Sequence, residues 1–174
     1  GNNDAAQALA AAIAGDHPFA TVAMVYTPNG AQKVRFYTYN DDGDLVSQAA
    51  LDSEGTKNMP GLCIACHGGT HNNGVVTGAK FLPFDLNSFV YANSGNFTRA
   101  NQEEEFRKLN EMVLLTLPGN STESLIKGWY GGDVPLHTPG TTQNSSWVPP
   151  GYAGEEVVYL QAIAPYCRTC HVAA

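Results

Sequence analysis

Two cysteine clusters constrain this chain more strongly than any other feature of its sequence. The first lies in the stretch "GLCIACHGGTH" and contains Cys63, Cys66 and His67. The second, "CRTCH", occupies residues 167–171. In both clusters two thiols stand three positions apart, and an imidazole follows the second thiol directly. The chain has four cysteines, and the two clusters contain all of them.

The Cys-x-x-Cys-His spacing is typical of covalent attachment of a c-type haem. Two cysteines three apart, at the start of a helical turn, reach the two vinyl groups on one edge of a porphyrin and form thioether bonds. The histidine that follows lies under the ring, where its imidazole binds the iron from the proximal side. The sequence therefore predicts two haem c groups. The haem attached at 63–67 is bound through thioether bonds to Cys63 and Cys66, with His67 as the proximal iron ligand. The haem attached at 167–171 is bound through Cys167 and Cys170, with His171 as the proximal ligand.

Three other interpretations of paired cysteines were weighed against haem. The four thiols suit a zinc site, two redox disulfides, or two structural bridges in a secreted protein. Each of these leaves both following histidines as coincidence, which at a background of roughly 2% histidine is on the order of one chance in a few thousand. No thioredoxin-like βαβ pattern surrounds either pair. The spacing favours two covalent haems.

The composition predicts one domain over residues 1–174, mostly α-helical with extensive loops and a small antiparallel β-hairpin near the N-terminus. The chain is 43% hydrophobic and 14% charged, which is globular, and 174 residues suffice to bury a core. Its 18 glycines and 10 prolines indicate many loops rather than a plain helical bundle. A covalent haem adds apolar surface to such a core.

Local patterns place a helix and a hairpin in the first 40 residues. Asp4 is a suitable N-cap and Gly15 a suitable C-terminal residue for a helix over 5–14. The β-branched and aromatic runs at 20–26 and 33–39 are separated by an Asn-Gly pair, which is a strong hairpin signal. A short strand is expected near 45–47.

Further helices are predicted in the second half of the chain. Asn101 and Glu104 have the capping-box spacing, and the helix that they open ends at the Pro-Gly pair at 118–119. A short helix is expected over 121–127, and a last one over 155–164 leads to the second cluster. The apolar face predicted for the helix after Asn101 consists of Phe106, Leu109, Met112 and Val113.

The charge of the chain excludes some partners. A net charge of −7, with no stripe of Lys or Arg, argues against nucleic acid and against an anionic membrane surface. No run approaches the roughly 20 apolar residues of a membrane span. The apolar stretch at 5–15 has no basic residue before it, so we expect a mature helix rather than a signal peptide. On that interpretation any export signal is already removed, or the chain is part of a larger protein.

The chain resembles the two-haem c-type cytochrome domains of exported bacterial proteins. The matching stretches are "GDHP", "PGLCIACHGGTH", "FLPFDLNSF", "EEEFRKLN", "LIKGWYGG" and "CRTCH", which together span most of the sequence. The resemblance implies a cytochrome-c-like dihaem domain that transfers electrons in the periplasm or outside the cell. It also implies redox partner proteins, and in some cases fusion to other modules or assembly with copies of itself.

Electron-transfer haems usually have two axial ligands from the protein. With His67 and His171 on the proximal side, the first candidates for the distal side are His17 and His137. His17 belongs to "GDHP", a tight turn that is one of the stretches carrying the resemblance. His137 lies in the long loop "VPLHTPG", which is long enough to fold over a haem face.

His71 and Met112 are alternative distal ligands. His71 is four residues after His67 and cannot easily reach the opposite face of the same ring, so it suits only the haem attached at 167–171. Met112 lies on the predicted apolar face of its helix, so a place in the core is the competing interpretation for this residue. Met24, in a strand of alternating pattern, is expected in the core. Arg168, inside the second cluster, is a candidate to pair with a haem propionate.

The leading functional hypothesis is a non-catalytic electron carrier, in which two haems relay single electrons between partner proteins. An acidic surface suits docking to a basic partner. One alternative is a peroxidase-like enzyme or gas-binding protein in which one iron lacks a sixth protein ligand. Another is a subunit of an extracellular cytochrome filament, in which a neighbouring chain supplies that ligand.

Overall fold

The computed structural model describes residues 5–16, 20–30, 32–51, 54–132 and 140–172. They form two compact units, unit 1 over Gly1–Lys80 and unit 2 over Phe81–Ala174. The chain combines helices with short antiparallel hairpins, so the predicted mixture of helix, loop and N-terminal hairpin is confirmed at that level. Each unit carries one of the two cysteine clusters. A single domain over 1–174 stays a prediction.

Unit 1 begins with the predicted helix and hairpin. Helix α1 spans Ala5–Ala14 and is followed by Gly15 at φ +63°, the left-handed conformation that glycine adopts at helix ends. Strands β1 (Thr21–Tyr26) and β2 (Val34–Tyr39) pair antiparallel, with Met24 opposite Phe36. The β-branched and aromatic residues of both runs therefore form the hairpin that their pattern predicted.

Two shorter hairpins in unit 1 were not predicted. Strand β3 (Gln48–Ala49) pairs with β4 (Lys57–Asn58), and β5 (Thr70–Asn72) pairs with β6 (Val75–Thr77). The strand expected near 45–47 is instead a single bridge between Leu45 and Tyr39. Strands of two or three residues contain too few alternations for a period-2 pattern to reveal them. Helix α2 (Gly61–His67) lies between these hairpins and carries the first cluster.

Unit 2 is organised by two long helices, α3 (Arg99–Leu115) and α4 (Asn120–Tyr130). Thr98 caps α3, since its hydroxyl accepts a hydrogen bond from the Asn101 amide at 3.3 Å. The predicted cap at Asn101 is therefore wrong, because the helix starts two residues earlier. Helix α4 is also longer than predicted and ends at Gly131, which adopts a left-handed conformation.

The buried face of α3 differs from the predicted one. Met112 is 61% exposed and Leu109 is exposed too, whereas Arg107 and Asn110 are buried. Arg107 is buried because Glu104 and Glu111 bind its guanidinium group, and Asn110 because it binds backbone groups of another segment. The core of unit 2 comprises Val113, Leu114, Leu125, Ile126, Trp129, Tyr130 and Val172, with Phe81, Leu82, Phe84 and Trp147 packed against it.

A chain of short helical turns leads to the second cluster. It consists of α5 (Glu156–Val158), a π-helical turn (Tyr159–Ile163), α6 (Ala164–Tyr166) and α7 (Arg168–His171). The predicted helix over 155–164 is thus present, with one π-helical turn, Tyr159–Ile163, in its second half. Within the described ranges, no helix combines the length and apolarity needed to cross a bilayer.

Candidate haem-binding sites

The first cluster faces a cavity of about 380 Å³ in unit 1. Cys63, Cys66 and His67 all line this cavity from α2. The volume lies in the range of small-molecule and cofactor sites, which are mostly apolar with a few placed polar groups. The remaining wall is apolar and comprises Val22, Met24, Phe36, Leu51 and Leu62. Two thiols and one imidazole thus line the same largely apolar space.

The imidazole of His67 is fixed by the backbone of Lys80. Its Nδ1 lies 2.9 Å from the Lys80 carbonyl oxygen, and the Lys80 amide donates back to the His67 carbonyl at 2.8 Å. Because a carbonyl oxygen only accepts, Nδ1 carries the proton, and Nε2 of the neutral ring keeps its lone pair. Metal-binding histidines are commonly oriented in this way, by a hydrogen bond from the other ring nitrogen.

The hairpin between these two residues requires a glycine at its base. A Cβ atom on Gly69 would lie 2.5 Å from the Thr77 carbonyl oxygen, and the residue has φ +89°. A side chain there would collide with backbone, which has no rotamer to move into. Gly69 therefore lets the chain return close to α2, where Lys80 meets His67.

The Cys63 side chain does not resemble a redox-active thiolate. Cys63 and Cys66 are present as thiols. Burial raises the pKa of the Cys63 thiol above its ordinary value, and the neighbouring Cys66 adds to the increase. Catalytic cysteines of redox CxxC motifs have lowered pKa values instead. Burial beside an apolar cavity therefore favours the protonated thiol over the thiolate at Cys63.

The second cluster faces a cavity of about 470 Å³ in unit 2. Cys167, which precedes α7, lines it together with Arg168 and His171. Cys167 is exposed and present as a thiol, His171 is exposed at the end of α7, and Cys170 lies on the same helix. The apolar and aromatic wall comprises Leu125, Pro149, Tyr152, Tyr159, Ile163 and Val172.

Arg168 is buried rather than extended into the cavity opening. Its guanidinium group forms an ion pair with Asp85, donates from Nη1 to the Tyr159 hydroxyl at 3.1 Å, and lies 5.1 Å from the centre of the Trp129 ring. The propionate contact predicted for Arg168 stays a prediction. In this structure its charge is already balanced by Asp85, which the sequence did not identify.

The four candidate distal ligands fall into two groups. His17 and His137 lie outside the described residues. His71 is exposed on β5, opposite Val76, and Met112 is exposed on α3. Neither His71 nor Met112 lines the cavity beside a cluster. The structure brings together Cys63, Cys66 and His67 in one unit and Cys167 and His171 in the other, without assigning a second axial ligand to either.

Two features of the first site were missed by sequence reasoning. Met24 lies on the cavity wall rather than in a closed core, and Val22 shares its face of β1. The alternation along β1 placed these residues on one face but did not reveal what that face covers. The role of the Lys80 carbonyl could not be recognised in the sequence, because every residue has a backbone carbonyl group.

Both cavities fit a haem by the chemistry of their walls. The first offers two thiols for thioether bonds and the second offers the Cys167 thiol, and each has the histidine of its cluster and a largely apolar lining for a porphyrin. Among the described residues, no group of three or more His, Cys, Asp or Glu side chains gathers as a bare metal ion would require. No family model, no curated protein and no solved structure matches this chain.

Proposed function

We propose that this chain is an electron carrier with two covalently attached c-type haems, one in each compact unit. The observation that carries the proposal is that Cys63, Cys66 and His67 line a largely apolar cavity in unit 1, and Cys167 and His171 line another in unit 2. A cluster that served only as a disulfide would not need a cavity of several hundred Å³ beside it. A haem held in this way supplies a reversible one-electron iron couple.

The residues of the first site have distinct tasks. Cys63 and Cys66 would hold the porphyrin edge, and His67 would bind the iron through Nε2. The hydrogen bond from His67 Nδ1 to the Lys80 carbonyl keeps the ring in one tautomer and one orientation. The apolar wall formed by Val22 and other side chains excludes water from the porphyrin face.

The second site distributes the same tasks differently. Cys167 and Cys170 would hold the porphyrin, and His171 would bind the iron. Leu125 and Ile163 supply apolar contact, while the Tyr159 ring closes part of the wall. A buried guanidinium group beside this wall makes the surroundings of the second site more polar than those of the first.

An acidic chain with two such sites suits relay between partner proteins. The net charge of −7 favours docking to a basic patch, with association that weakens as salt increases. Neither described cavity wall contains a histidine besides the proximal one, nor any carboxylate, so these walls show no acid–base pair for peroxide chemistry. The resemblance to exported two-haem domains supports a location in the periplasm or outside the cell.

Haem content tests the proposal first. We expect the purified holoprotein to carry two haems by intact mass, the Cys63→Ser/Cys66→Ser variant to lose one, and the Cys167→Ser/Cys170→Ser variant to lose the other. Redox titration of the wild type then resolves two one-electron couples, and each double variant lacks one of them. A wild-type protein without covalent haem would overturn the proposal.

Carbon monoxide separates a carrier from an enzyme or gas-binding protein. A carrier whose irons both have two protein ligands leaves the spectrum of the reduced protein unchanged on addition of CO. Stoichiometric binding of CO to one haem would contradict the pure-carrier function and favour the peroxidase-like alternative. Low-spin character that increases with protein concentration would point to a ligand from a second chain, as in a filament.

A further inference from the structure

Arg168 lies inside the second cluster, yet its guanidinium group binds in the core of unit 2. It is 7% exposed, whereas Cys167 and His171 are exposed, and all three residues line the second cavity. Residues three apart on a helix lie on neighbouring positions of one face, as Arg168 and His171 do on α7. The direction of the Arg168 side chain therefore constrains the rotation of α7 about its axis.

Asp85 is the anion that holds Arg168 inside. Its Oδ2 accepts hydrogen bonds from both Nε (3.1 Å) and Nη2 of Arg168, and the carboxylate is only 5% exposed. Tyr159, which is 2% exposed, completes the set by accepting from Nη1. Two buried charges of opposite sign thus lie beside the wall of the second cavity.

Asp85 is itself fixed from two other directions. Its Oδ1 accepts from the Asn87 amide at 3.2 Å and from Nε2 of the buried Gln143 at 3.3 Å. Gln143 Oε1 in turn accepts from the Leu86 amide at 3.2 Å. The carboxylate therefore has partners on both oxygens, which is the condition under which a buried ion pair holds one geometry.

We propose that Asp85 is a positioning residue for the second haem site and acts through Arg168. The ion pair holds α7 against the core of unit 2 so that Cys167 and His171 face the cavity. Because the pair is electrically neutral, it also keeps an isolated positive charge away from the second iron. The inference rests on the proposed function, since it assigns a role toward a haem bound at residues 167–171.

Replacing Asp85 by Asn leaves the guanidinium charge without its counterion. An added electron is favoured beside a net positive charge, so the reduction potential of the second couple rises. The expected change is about tenfold in the reduction equilibrium, which is about 59 mV for a one-electron couple. Asn keeps the size of the side chain and its Oδ1 acceptor, so the variant changes the charge with little change in packing.

The experiment uses full-length holoprotein in a Cys63→Ser/Cys66→Ser background, in which only the second couple is present. Redox titration and the visible spectrum are recorded for Asp85→Asn, for the charge-conserving rescue Asp85→Glu, and for Glu105→Gln as a matched control. Glu105 pairs with Lys108 on the exposed surface of the same unit, so its replacement removes one negative charge from a solvated pair. We expect a raised potential in Asp85→Asn alone.

An unchanged second couple in Asp85→Asn would overturn the proposal, as would an equal shift in Asp85→Glu or in Glu105→Gln. If Asp85→Asn fails to fold by circular dichroism, Tyr159→Phe replaces it. That variant removes only the hydroxyl that binds Arg168 and should alter the spectrum or the potential of the second couple. If Tyr159→Phe leaves both unchanged, the positioning role is refuted. A parent protein without haem at 167–171 would instead refute the proposed function.

Discussion

Asn110 joins helix α3 to the segment that precedes the buried Asp85, and its replacement by Ala should destabilise unit 2 by about 3 kcal/mol. The side chain is 0% exposed. Its Oδ1 accepts from the Phe84 amide at 2.8 Å, and its Nδ2 donates to the Phe84 carbonyl at 2.9 Å. Ala leaves the half-buried amide and carbonyl of Phe84 without this partner, each costing about 1–3 kcal/mol, and the lower half of that range applies where water enters the space.

A urea titration followed by far-UV circular dichroism measures the effect. The midpoint should fall while the slope stays constant, because stability changes and the surface exposed on unfolding does not. Asn110→Leu fills most of the side-chain volume but supplies no hydrogen bond. It should therefore be destabilised nearly as much as Asn110→Ala. Asn101→Ala is the matched control on the same helix, since Asn101 is exposed and donates a single bond to the Gly95 carbonyl. We expect that control to change stability by less than about 0.5 kcal/mol.

The reasoning is refuted if Asn110→Leu is as stable as the wild type. Such a result would mean that the backbone groups of Phe84 find water or other partners once the amide is gone. A loss in Asn101→Ala as large as in Asn110→Ala would also contradict it, because burial would then not be what makes the hydrogen bonds matter.

Two further predictions concern unit 2. Gly128→Ala should lower stability by about 1–3 kcal/mol, because the new Cβ would lie 2.0 Å from Cε2 of Trp147 and force the ring out of its place. Glu104 has a pKa lowered to about 2 by hydrogen bonds from Arg107 and from the Gly140 amide. Because the pKa of Glu104 is lower in the folded protein than in the unfolded chain, the ionised carboxylate stabilises the fold at pH values above its unfolded-state pKa. This stabilisation is lost as the pH falls through about 2. In urea titrations between pH 4.5 and 2, Glu104→Gln should therefore lose less stability than the wild type.

Each of these has a matched control in the chain. Gly151 lies in the 3-10 turn Pro150–Tyr152 of the same unit and has open space where a Cβ would stand, so Gly151→Ala should be nearly neutral where Gly128→Ala is not. Glu105→Gln is the matched control for removing one carboxylate from the same helix, because Glu105 is exposed and accepts from the Lys108 side chain at 2.8 Å. Identical pH dependence in Glu104→Gln and the wild type would contradict the assigned role of Glu104.

Sequence patterns predicted elements whose signal is local. Helix α1 has a terminal glycine in the expected conformation, and the β1–β2 hairpin joins two alternating runs through an Asn-Gly pair. The residue types of the two clusters also determine most of the predicted chemistry. In these cases the neighbours along the chain supply the physical cause, so periodicity and spacing suffice.

Contacts between distant segments were beyond that reasoning. Arg107 and Asn110 are polar, so their pattern indicated solvent, yet each is buried because its polar groups find partners. Asp85 and Arg168 are 83 positions apart, and no local pattern around either residue predicts their contact. Met24 was expected in the core but lines a cavity, because the space beside its face of β1 is bounded by α2, which comes much later in the chain.

The paired hydrogen bonds between His67 and Lys80 determine how the first site tolerates variation. Both partners that Lys80 contributes are main-chain groups, so any residue except proline, which lacks the amide hydrogen, preserves the paired contact with His67. The number of residues between the two is a different matter. Adding or deleting one within the β5–β6 hairpin would move the carbonyl away from Nδ1, so a library at this site should accept substitutions and reject changes of length.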